Sequence, residues 1–390
     1  MKPYYSIISV IILSGCLKTY EPDLNRFERV IVIDGTISDG SGPHEVKISY
    51  TYPLDSAYQE LVRDAKVWVT EDQSKVTEFE EKDPGVYNAP DGFKGQVGSS
   101  YVLSVQLNNG TGELFQSQEE YLAPSPPIDS IYAVYKRTTS STTGDFTGGL
   151  QFFIDVGNQK SGSQYFRYEW EETYRIEVPY PASHQVIETK EDTVITPLVR
   201  SYGICYDGQS SNTLQIASSL GVEGNQIIEY PIRFVSEEAQ ELSSRYALLV
   251  KQYAISERAY TYYFRLQENN NSGGSLFDQQ TGAIYGNISA VNNNNQAVLG
   301  YFEVSGVSQK RRFFDRTEMP SNLERPVFPY ICLESGLINT TEDSALHYTR
   351  NNQWNIVGYE DLIETITIHS VECSDCSFYA NVIPPEFWED

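Results

Sequence analysis

Short segments of alternating polarity, separated by turn residues, fill the first third of this chain and constrain its fold more than any other feature. Val30–Ile37 begins as a continuous apolar run, and His44–Tyr50 and Ala65–Thr70 alternate in the manner of strands with one buried face. Tyr101–Leu107 has the same character and is followed by the hairpin signal Asn108-Asn109-Gly110. Strands of this length, with turns every ~8–12 residues, predict a small β-sandwich over residues 29–122.

A proline-rich segment, Pro124-Ser125-Pro126-Pro127, ends this predicted domain, because prolines cannot donate hydrogen bonds to a sheet. Beyond it, strands are predicted at Ile131–Tyr135, Leu150–Val156 and Tyr165–Val178. We therefore expect a mainly β protein whose second, larger domain spans residues 128–390 as a β-sandwich or a barrel-like sheet. The strand order of the first domain resembles a transthyretin-like or Ig-like β-sandwich, and this resemblance concerns the fold alone.

One helical pattern interrupts the second domain. Ser256 is a good N-cap, and apolar residues from Tyr260 onward recur at the spacing of one helix face. A shorter helix is predicted over Ser236–Leu242. The second domain is thus expected to carry a small helical insertion at about 236–272, although residues 245–253 within it favour a strand.

The N-terminus carries signals for export and lipidation. An apolar run over residues 4–13 ends at Leu13-Ser14-Gly15-Cys16, which has the form of a bacterial lipobox. Residues 1–15 are accordingly predicted to be a signal peptide, with an ordinary, unlipidated signal peptide as the alternative. Stable anchoring needs two or more acyl chains, so a triacylated Cys16 and a tether over residues 16–28 would hold the body at a membrane. Membrane lipid is therefore the first predicted partner.

The chain is strongly acidic, with 53 Asp and Glu residues against 28 Lys and Arg residues and a formal net charge of −25. Such a chain repels phosphates, which argues against nucleic acid as a partner and against broad contact with anionic lipid. We interpret the charge mainly as a determinant of solubility. Cation binding is the alternative, although the sequence has no calcium loop of the D-x-[DN]-x-[DN]-G type.

Four cysteines follow Cys16, namely Cys205, Cys332, Cys373 and Cys376. An even number in an exported chain predicts two disulfides with three possible connectivities, and we favour a bond between Cys332 and one of the two later cysteines. The C-x-x-C spacing also occurs in redox and zinc sites. Here no βαβ pattern surrounds it and no second C-x-x-C is present. All four are disulfide candidates, and no metal site is predicted.

No catalytic constellation is recognisable in the sequence. The four histidines, His44, His184, His347 and His369, are too far apart for an H-E-x-x-H metal motif, and no G-x-S-x-G, P-loop or S-x-x-K set occurs. A pair of carboxylates acting on a glycosidic bond leaves no sequence signature, so a hydrolase stays an alternative. We expect a non-enzymatic protein without a cofactor.

A set of short motifs occurs in order along the chain and resembles one family. The motifs are Ile33–Ile37, Tyr246–Ser256 with Tyr260, Gly274–Asp278, Gly286–Ile288, Leu299–Phe302, Cys373–Cys376 and Pro385–Trp388. Together they resemble a lipoprotein family of Bacteroidota, catalogued as domain of unknown function 4249. Gly286 and Gly300 fit positions where strands approach closely, and Trp388 fits a residue that fixes the C-terminus to the core.

The resemblance implies a cellular context and carries over no catalytic residue. Such lipoproteins typically lie in the outer membrane beside TonB-dependent receptors. It implies a lipid-anchored outer-membrane protein, facing the cell surface or alternatively the periplasm, that serves as an accessory or lid subunit of a TonB-dependent nutrient-uptake complex. Its expected partner is then a β-barrel receptor. A stand-alone glycan- or protein-binding module and a subunit of an outer-membrane assembly or export machine are the alternatives.

Overall fold

A computed structural model of the protein defines the fold. It describes residues 28–53, 56, 58–108, 110, 112–139, 146–157, 162–188, 193–271, 283–293, 295–320, 323, 328, 332, 336–350, 353–360 and 365–389. The predicted lipidation site Cys16, its tether up to residue 27 and the motif Gly274–Asp278 lie outside the described residues. No helix in these ranges is long and apolar enough to cross a membrane.

The fold is mainly β, as predicted, and two helices lie within the described ranges. The strands up to residue 177 are β1 (Ile31–Ser38), β2 (Glu45–Tyr50), β3 (Lys66–Glu71), β4 (Lys75–Asp83), β5 (Val86–Asn88), β6 (Ser100–Gln106), β7 (Leu114–Ser117), β8 (Glu120–Tyr121), β9 (Ser130–Thr139), β10 (Phe146–Val156) and β11 (Tyr165–Glu177). The later strands are β12 (His184–Glu188), β13 (Thr193–Pro197), β14 (Ile204–Ser210), β15 (Gln215–Ser218), β16 (Ile227–Ser236), β17 (Tyr246–Ile255), β18 (Ile288–Ala290), β19 (Val298–Leu299), β20 (Phe302–Phe314), β21 (Ile338–Thr340), β22 (Trp354–Glu360) and β23 (Thr365–Ser370). The helices are α1 (Glu257–Asn271) and α2 (Glu342–Thr349).

The first sandwich is built as the alternation predicts. One layer runs β20-β1-β2-β5, and the other runs β4-β3-β6-β7-β18, with β4 also pairing β5 and so joining the two layers. Alternate side chains of β1, β2 and β6, among them Ile33, Ile48 and Leu103, point into a common core. That core also contains Ile288, Val298 and residues 302 and 304, which come from beyond the predicted boundary at 122–128. The first sandwich is therefore completed by a late part of the chain.

The second sandwich shares a strand with the first. Its layers are β14-β11-β17-β20 and β16-β10-β9. Where the layers meet, Phe152 stacks on Tyr246 and contacts Phe314 edge-to-face. Within β20, residues 302–305 pair in parallel with β1, and residues 306–314 pair antiparallel with β17. One continuous strand thus links both sandwiches.

The helical part is smaller than predicted. Ser256 caps α1 by accepting a hydrogen bond from the main-chain N–H of Ala259 at 3.2 Å, as its N-cap position requires. Residues 246–255 form β17, in agreement with the strand favoured there. The predicted helix over Ser236–Leu242 is wrong: it is a single 3-10 turn at Gln240–Leu242, because β16 extends to residue 236 and β17 begins at 246. Apart from that turn, helix in the described part of the insertion is confined to residues 257–271.

A small third sheet follows in the order β13-β12-β22-β23-β21. Helix α2 covers it, with Ala345 packed among Ile356, Ile366 and Ile368.

Candidate functional site

A cleft lies where the two sandwiches meet, beneath helix α1. We call it the central cleft, and its volume is about 460 Å³. Its walls come from β1, β2, β11, β17, α1 and β20, together with the turn that joins β1 to β2. The lining residues that carry charge or an aromatic ring are Asp34, His44, Glu45, Lys47, Arg167, Glu169, Lys251, Tyr253, Tyr262, Tyr263 and Glu303.

A buried ion pair forms the floor of the central cleft. Arg167 donates through Nε and Nη2 to the two carboxylate oxygens of Glu303, at 2.8 and 2.9 Å, and through Nη1 to Glu169. The Glu303 side chain is 1 % exposed, and Ser305 Oγ also donates to it at 3.0 Å. Burial by itself raises the pKa of Glu303, but the charge and hydrogen bonds of Arg167 outweigh it and hold that pKa below its usual value. The pair stays ionised and fixes β11 against β20.

Asp34, from the motif Ile33–Ile37, is an exposed residue whose carboxylate lines the cleft. It lies on β1 opposite Lys47 of β2, and its carboxylate accepts the main-chain N–H of Tyr301. Two effects raise the pKa of Asp34. The larger is the partial loss of water around its carboxylate, and the smaller is the negative charge of Glu303. Its charge is thus less well compensated than that of Glu303.

Tyrosines on α1 and β17 form the upper wall. The guanidinium of Arg167 lies over the ring of Tyr253, 4.2 Å from its centroid, and Tyr262 stacks on Tyr301 at 4.9 Å. Burial, with a contribution from the charge of Asp34, raises the pKa of Tyr262 to about 12. These phenols are therefore neutral and hold their protons as hydrogen-bond donors.

The motif residues Asn287 and Tyr301 belong to a buried polar network beside the cleft. Asn287 donates through Nδ2 to Glu120 at 3.0 Å and to the carbonyl of Phe302 at 2.9 Å, and it accepts the main-chain N–H of Phe302 at 2.9 Å. The hydroxyl of Tyr301 donates to Glu120 at 2.7 Å. The network positions the start of β20, which carries Glu303.

The two motif glycines lie where backbones touch. A Cβ on Gly286 would lie 1.7 Å from the carbonyl oxygen of Gly300, and a Cβ on Gly300 would lie 2.0 Å from that of Ile33. Gly300 also has a φ of +94°. Both positions therefore require glycine for packing, in agreement with the structural interpretation of these motifs.

Gly300→Ala is expected to lower the free energy of unfolding by about 2 kcal/mol more than Gly92→Ala. Both glycines have positive φ, but nothing lies within 4 Å of a Cβ on Gly92, whereas Ile33 blocks one on Gly300. Gly92→Ala therefore measures the cost of placing alanine in this backbone conformation, without any steric clash. The difference between the two variants gives the cost of the clash at Gly300. Urea unfolding followed by tryptophan fluorescence measures both variants, and equal midpoints would contradict the assigned role.

The four late cysteines form two disulfides, as predicted. Cys205 is bonded to Cys376 and Cys332 to Cys373. Each cysteine of the C-x-x-C motif thus has a different partner, and the two are not bonded to each other as in a redox motif. The favoured bond between Cys332 and the late pair is present. Trp388 contacts the rings of Tyr206 and Phe313 at 5.0 and 5.4 Å and fixes the C-terminal segment to the second sandwich.

The histidines are dispersed. His44 lies in the central cleft, His184 lies in a second cleft of about 460 Å³ beside the third sheet, and His369 stacks on Tyr180. His347 lies in the last turn of α2. Among the described residues, no group of three His, Cys, Asp or Glu side chains could hold a metal ion.

The second cleft differs from the central one in electrostatics. Its ion pair joins Arg350 to Glu188 at 3.0 Å, and both side chains are more than half exposed. Exposed pairs contribute little to stability or orientation. The central cleft, with its buried pair and family motif residue Asp34, is the stronger candidate site.

The sequence prediction missed the partners of Asp34 in the central cleft. Asp34 belongs to one of the family motifs, whereas none of those motifs contains Arg167 or Glu303. Their signal is a charged residue between two apolar neighbours of a strand, Arg167 between Phe166 and Tyr168 and Glu303 between Phe302 and Val304. Such charges are seldom buried without a partner.

Comparison with known families tests the resemblance. The family described as domain of unknown function (DUF4249) matches residues 18–311. The chain belongs to this family. The DUF4249 match contains every residue that lines the central cleft, while Cys373–Cys376 and Pro385–Trp388 lie beyond it. No curated protein matches the chain.

Proposed function

We propose that this DUF4249 protein is a lipid-anchored, non-enzymatic accessory subunit of a TonB-dependent nutrient-uptake complex in the outer membrane, and that it contacts ligand through the central cleft. The observation that carries the proposal is the construction of that cleft. Its charged floor is fixed by Arg167 hydrogen bonds and by a strand common to both sandwiches. The paired charges of Arg167 and Glu303 keep this floor rigid, as a binding site requires.

The short length of the predicted tether supports a role close to a membrane partner. Residues 17–27 can span at most about 40 Å when fully extended. They lead into β1, before which Arg29 pairs with Glu60 and Thr51 Oγ1 donates a hydrogen bond to the carbonyl of Glu28. An acylated Cys16 would therefore keep the cleft within reach of a barrel in the same membrane.

Capture from the native membrane in mild detergent tests this proposal. The tagged full-length protein is expected to retain a large β-barrel receptor, and mass spectrometry of its N-terminal peptide is expected to find acylated Cys16. Cys16→Ser is the matched control, because it removes the acylated thiol and leaves the cleft unchanged. It should lose both the lipid and the receptor.

Other outcomes would contradict the proposal. Recovery of the protein alone in several detergents would exclude a stable receptor complex and favour a stand-alone binding module. Recovery with subunits of an assembly or export machine would assign it to that machine.

A further inference from the structure

We propose that the end of the first sandwich at which the tether joins it rests on the phospholipid headgroup layer of the membrane that holds Cys16, with Tyr52, Tyr58 and Leu61 in contact with lipid. We call these three residues the tether-end patch. The inference rests on the proposed function, whose lipid anchor it requires, and deepens it by naming the surface that faces the membrane. It follows from the place where the tether ends and from the exposed side chains beside it.

The tether-end patch begins next to the point at which the tether ends. Thr51 Oγ1 donates to the carbonyl of Glu28 and accepts the main-chain N–H of Val30, both at 2.9 Å. Tyr52 follows Thr51 directly in sequence. Since residues 17–27 can span at most about 40 Å, an acylated Cys16 would keep this end of the first sandwich within that distance of the bilayer.

The side chains of the tether-end patch are exposed, although the backbone that carries them is held in place. Tyr52 is 48 % exposed, Tyr58 84 % and Leu61 43 %. The main-chain N–H of Tyr50 donates to the carbonyl of Glu60 at 2.8 Å, which binds the segment after β2 back onto that strand. Exposed apolar side chains that are grouped in this way mark a surface that contacts another molecule or a membrane.

Lipid is the partner that fits this surface best. Tyrosine is enriched at membrane–water interfaces, because its ring is apolar and its hydroxyl forms hydrogen bonds with the polar layer. The arginines beside the patch have acidic neighbours, since Arg29 pairs with Glu60 at 2.8 Å and Asp64 follows Arg63 in sequence. Attraction to anionic lipid needs an excess of Lys or Arg, so we expect contact with zwitterionic headgroups. An anchor in the same membrane also keeps lipid within reach at all times, whereas a protein partner has to be encountered first.

Such a contact would hold the second sandwich away from the bilayer. Strand β20 runs parallel to β1 and continues into the second sandwich, beyond the end of β1 that is opposite to the tether. Lys310 and Arg312 of β20 donate to the carbonyls of Asp129 and Ile131, so β9 leads outward beside β20. The last residue of β9 pairs with Phe146, whose side chain is exposed. Phe146 therefore marks a surface remote from the tether-end patch.

Quenching of a fluorescent dye by lipid tests the contact. The acylated full-length protein, in phosphatidylcholine vesicles, can be labelled at a single introduced cysteine, because acylation blocks Cys16 and disulfides block the other four native cysteines. A spin label on the lipid headgroups quenches only dyes that lie close to it. A dye on Gln59→Cys, beside Tyr58, is expected to lose at least about half of its emission, and a dye on Phe146→Cys less than about one tenth.

Two double variants assign the contact to the tyrosines of the patch. Tyr52→Ser/Tyr58→Ser should reduce the quenching at Gln59→Cys by at least about twofold, because serine lacks the ring that enters the headgroup layer. Tyr121→Ser/Tyr285→Ser is the matched control. It removes two tyrosines that are exposed elsewhere on the protein and should leave the quenching unchanged.

The inference is overturned if the dyes on Gln59→Cys and Phe146→Cys are quenched equally, if neither is quenched on the acylated protein, or if Tyr52→Ser/Tyr58→Ser leaves the quenching unchanged. Loss of the quenching when a captured receptor is included in the vesicles would assign the patch to a protein interface, and would also overturn it.

Acylation and receptor capture are separate readouts. An unacylated Cys16 would refute the anchor on which both proposals rest. Quenching without receptor capture would retain the lipid contact and refute the complex, and capture without quenching would do the reverse.

Discussion

Replacement of Arg167 by methionine is expected to lower the free energy of unfolding by about 3–5 kcal/mol, the cost typical of removing one partner from a buried ion pair. Methionine keeps most of the apolar stem of arginine and removes its charge. Glu303 would lose both hydrogen bonds from the guanidinium while its side chain stays buried. Urea unfolding at pH 7 measures the change.

Two further variants separate this effect from the loss of an arginine in general. Arg29→Met breaks an ion pair with Glu60 in which both side chains are more than half exposed, so it should cost less than about 1 kcal/mol. Adding Glu303→Leu to Arg167→Met should recover much of the loss, because the unpaired carboxylate is gone. If Arg167→Met is no more costly than Arg29→Met, the pair does not hold the cleft together.

The contribution of Glu303 to the free energy of unfolding should depend on pH with opposite signs in the native protein and in the Arg167→Met variant. In the native protein the pKa of Glu303 is lowered, so its stabilisation is present above the unfolded pKa of about 4.3 and is lost as pH falls through the lowered value. Without Arg167, burial would raise that pKa above the unfolded value. The folded variant would then bind more protons than the unfolded chain, and its stability should fall as pH rises above about 4.3. The stability gap between the two proteins should therefore narrow from pH 7 to pH 5.

Local patterns in the sequence predicted much of the secondary structure. The alternation in His44–Tyr50 and Ala65–Thr70 corresponds to β2 and β3, because each strand buries one face in the first sandwich. The N-cap at Ser256 set the start of α1. These elements are determined largely by residues close together in the sequence, so the spacing of apolar residues is enough to predict them.

Long-range pairing was not predictable in the same way. Strand β20 pairs with β1, more than 260 residues earlier, and its residues 302–305 are buried on both faces. A strand buried on both faces has no alternation from which register could be read. The central cleft depends on this pairing and on that of β17 with β11 and β20, because together they bring Glu303 next to Asp34 and Arg167. The charged residues of the cleft could be singled out individually from the sequence. That they lie together could not be predicted, because it depends on pairing between distant strands.

Loss of the Cys205–Cys376 disulfide should be the most destabilising of the changes considered. The two cysteines are 171 residues apart in sequence, against 41 for Cys332 and Cys373. A cross-link lowers the entropy of the unfolded chain more when it closes a longer loop. With the other bond in place, Cys205→Ala/Cys376→Ala should cost about 5 kcal/mol and Cys332→Ala/Cys373→Ala about 4 kcal/mol.

Local packing should widen this difference. Cys205 and Cys376 are fully buried with Ile176 and Val178, where the C-terminal segment meets β11 and β14, whereas Cys332 is partly exposed. Alanine at the first pair would leave space in a core, which adds to the loss of the cross-link. Urea unfolding of both double variants, without reductant, gives the comparison. A larger loss for Cys332→Ala/Cys373→Ala would contradict the loop-length argument. It would mean that the bond around β21, α2, β22 and β23 contributes more to stability than the bond that joins the C-terminal segment to the second sandwich.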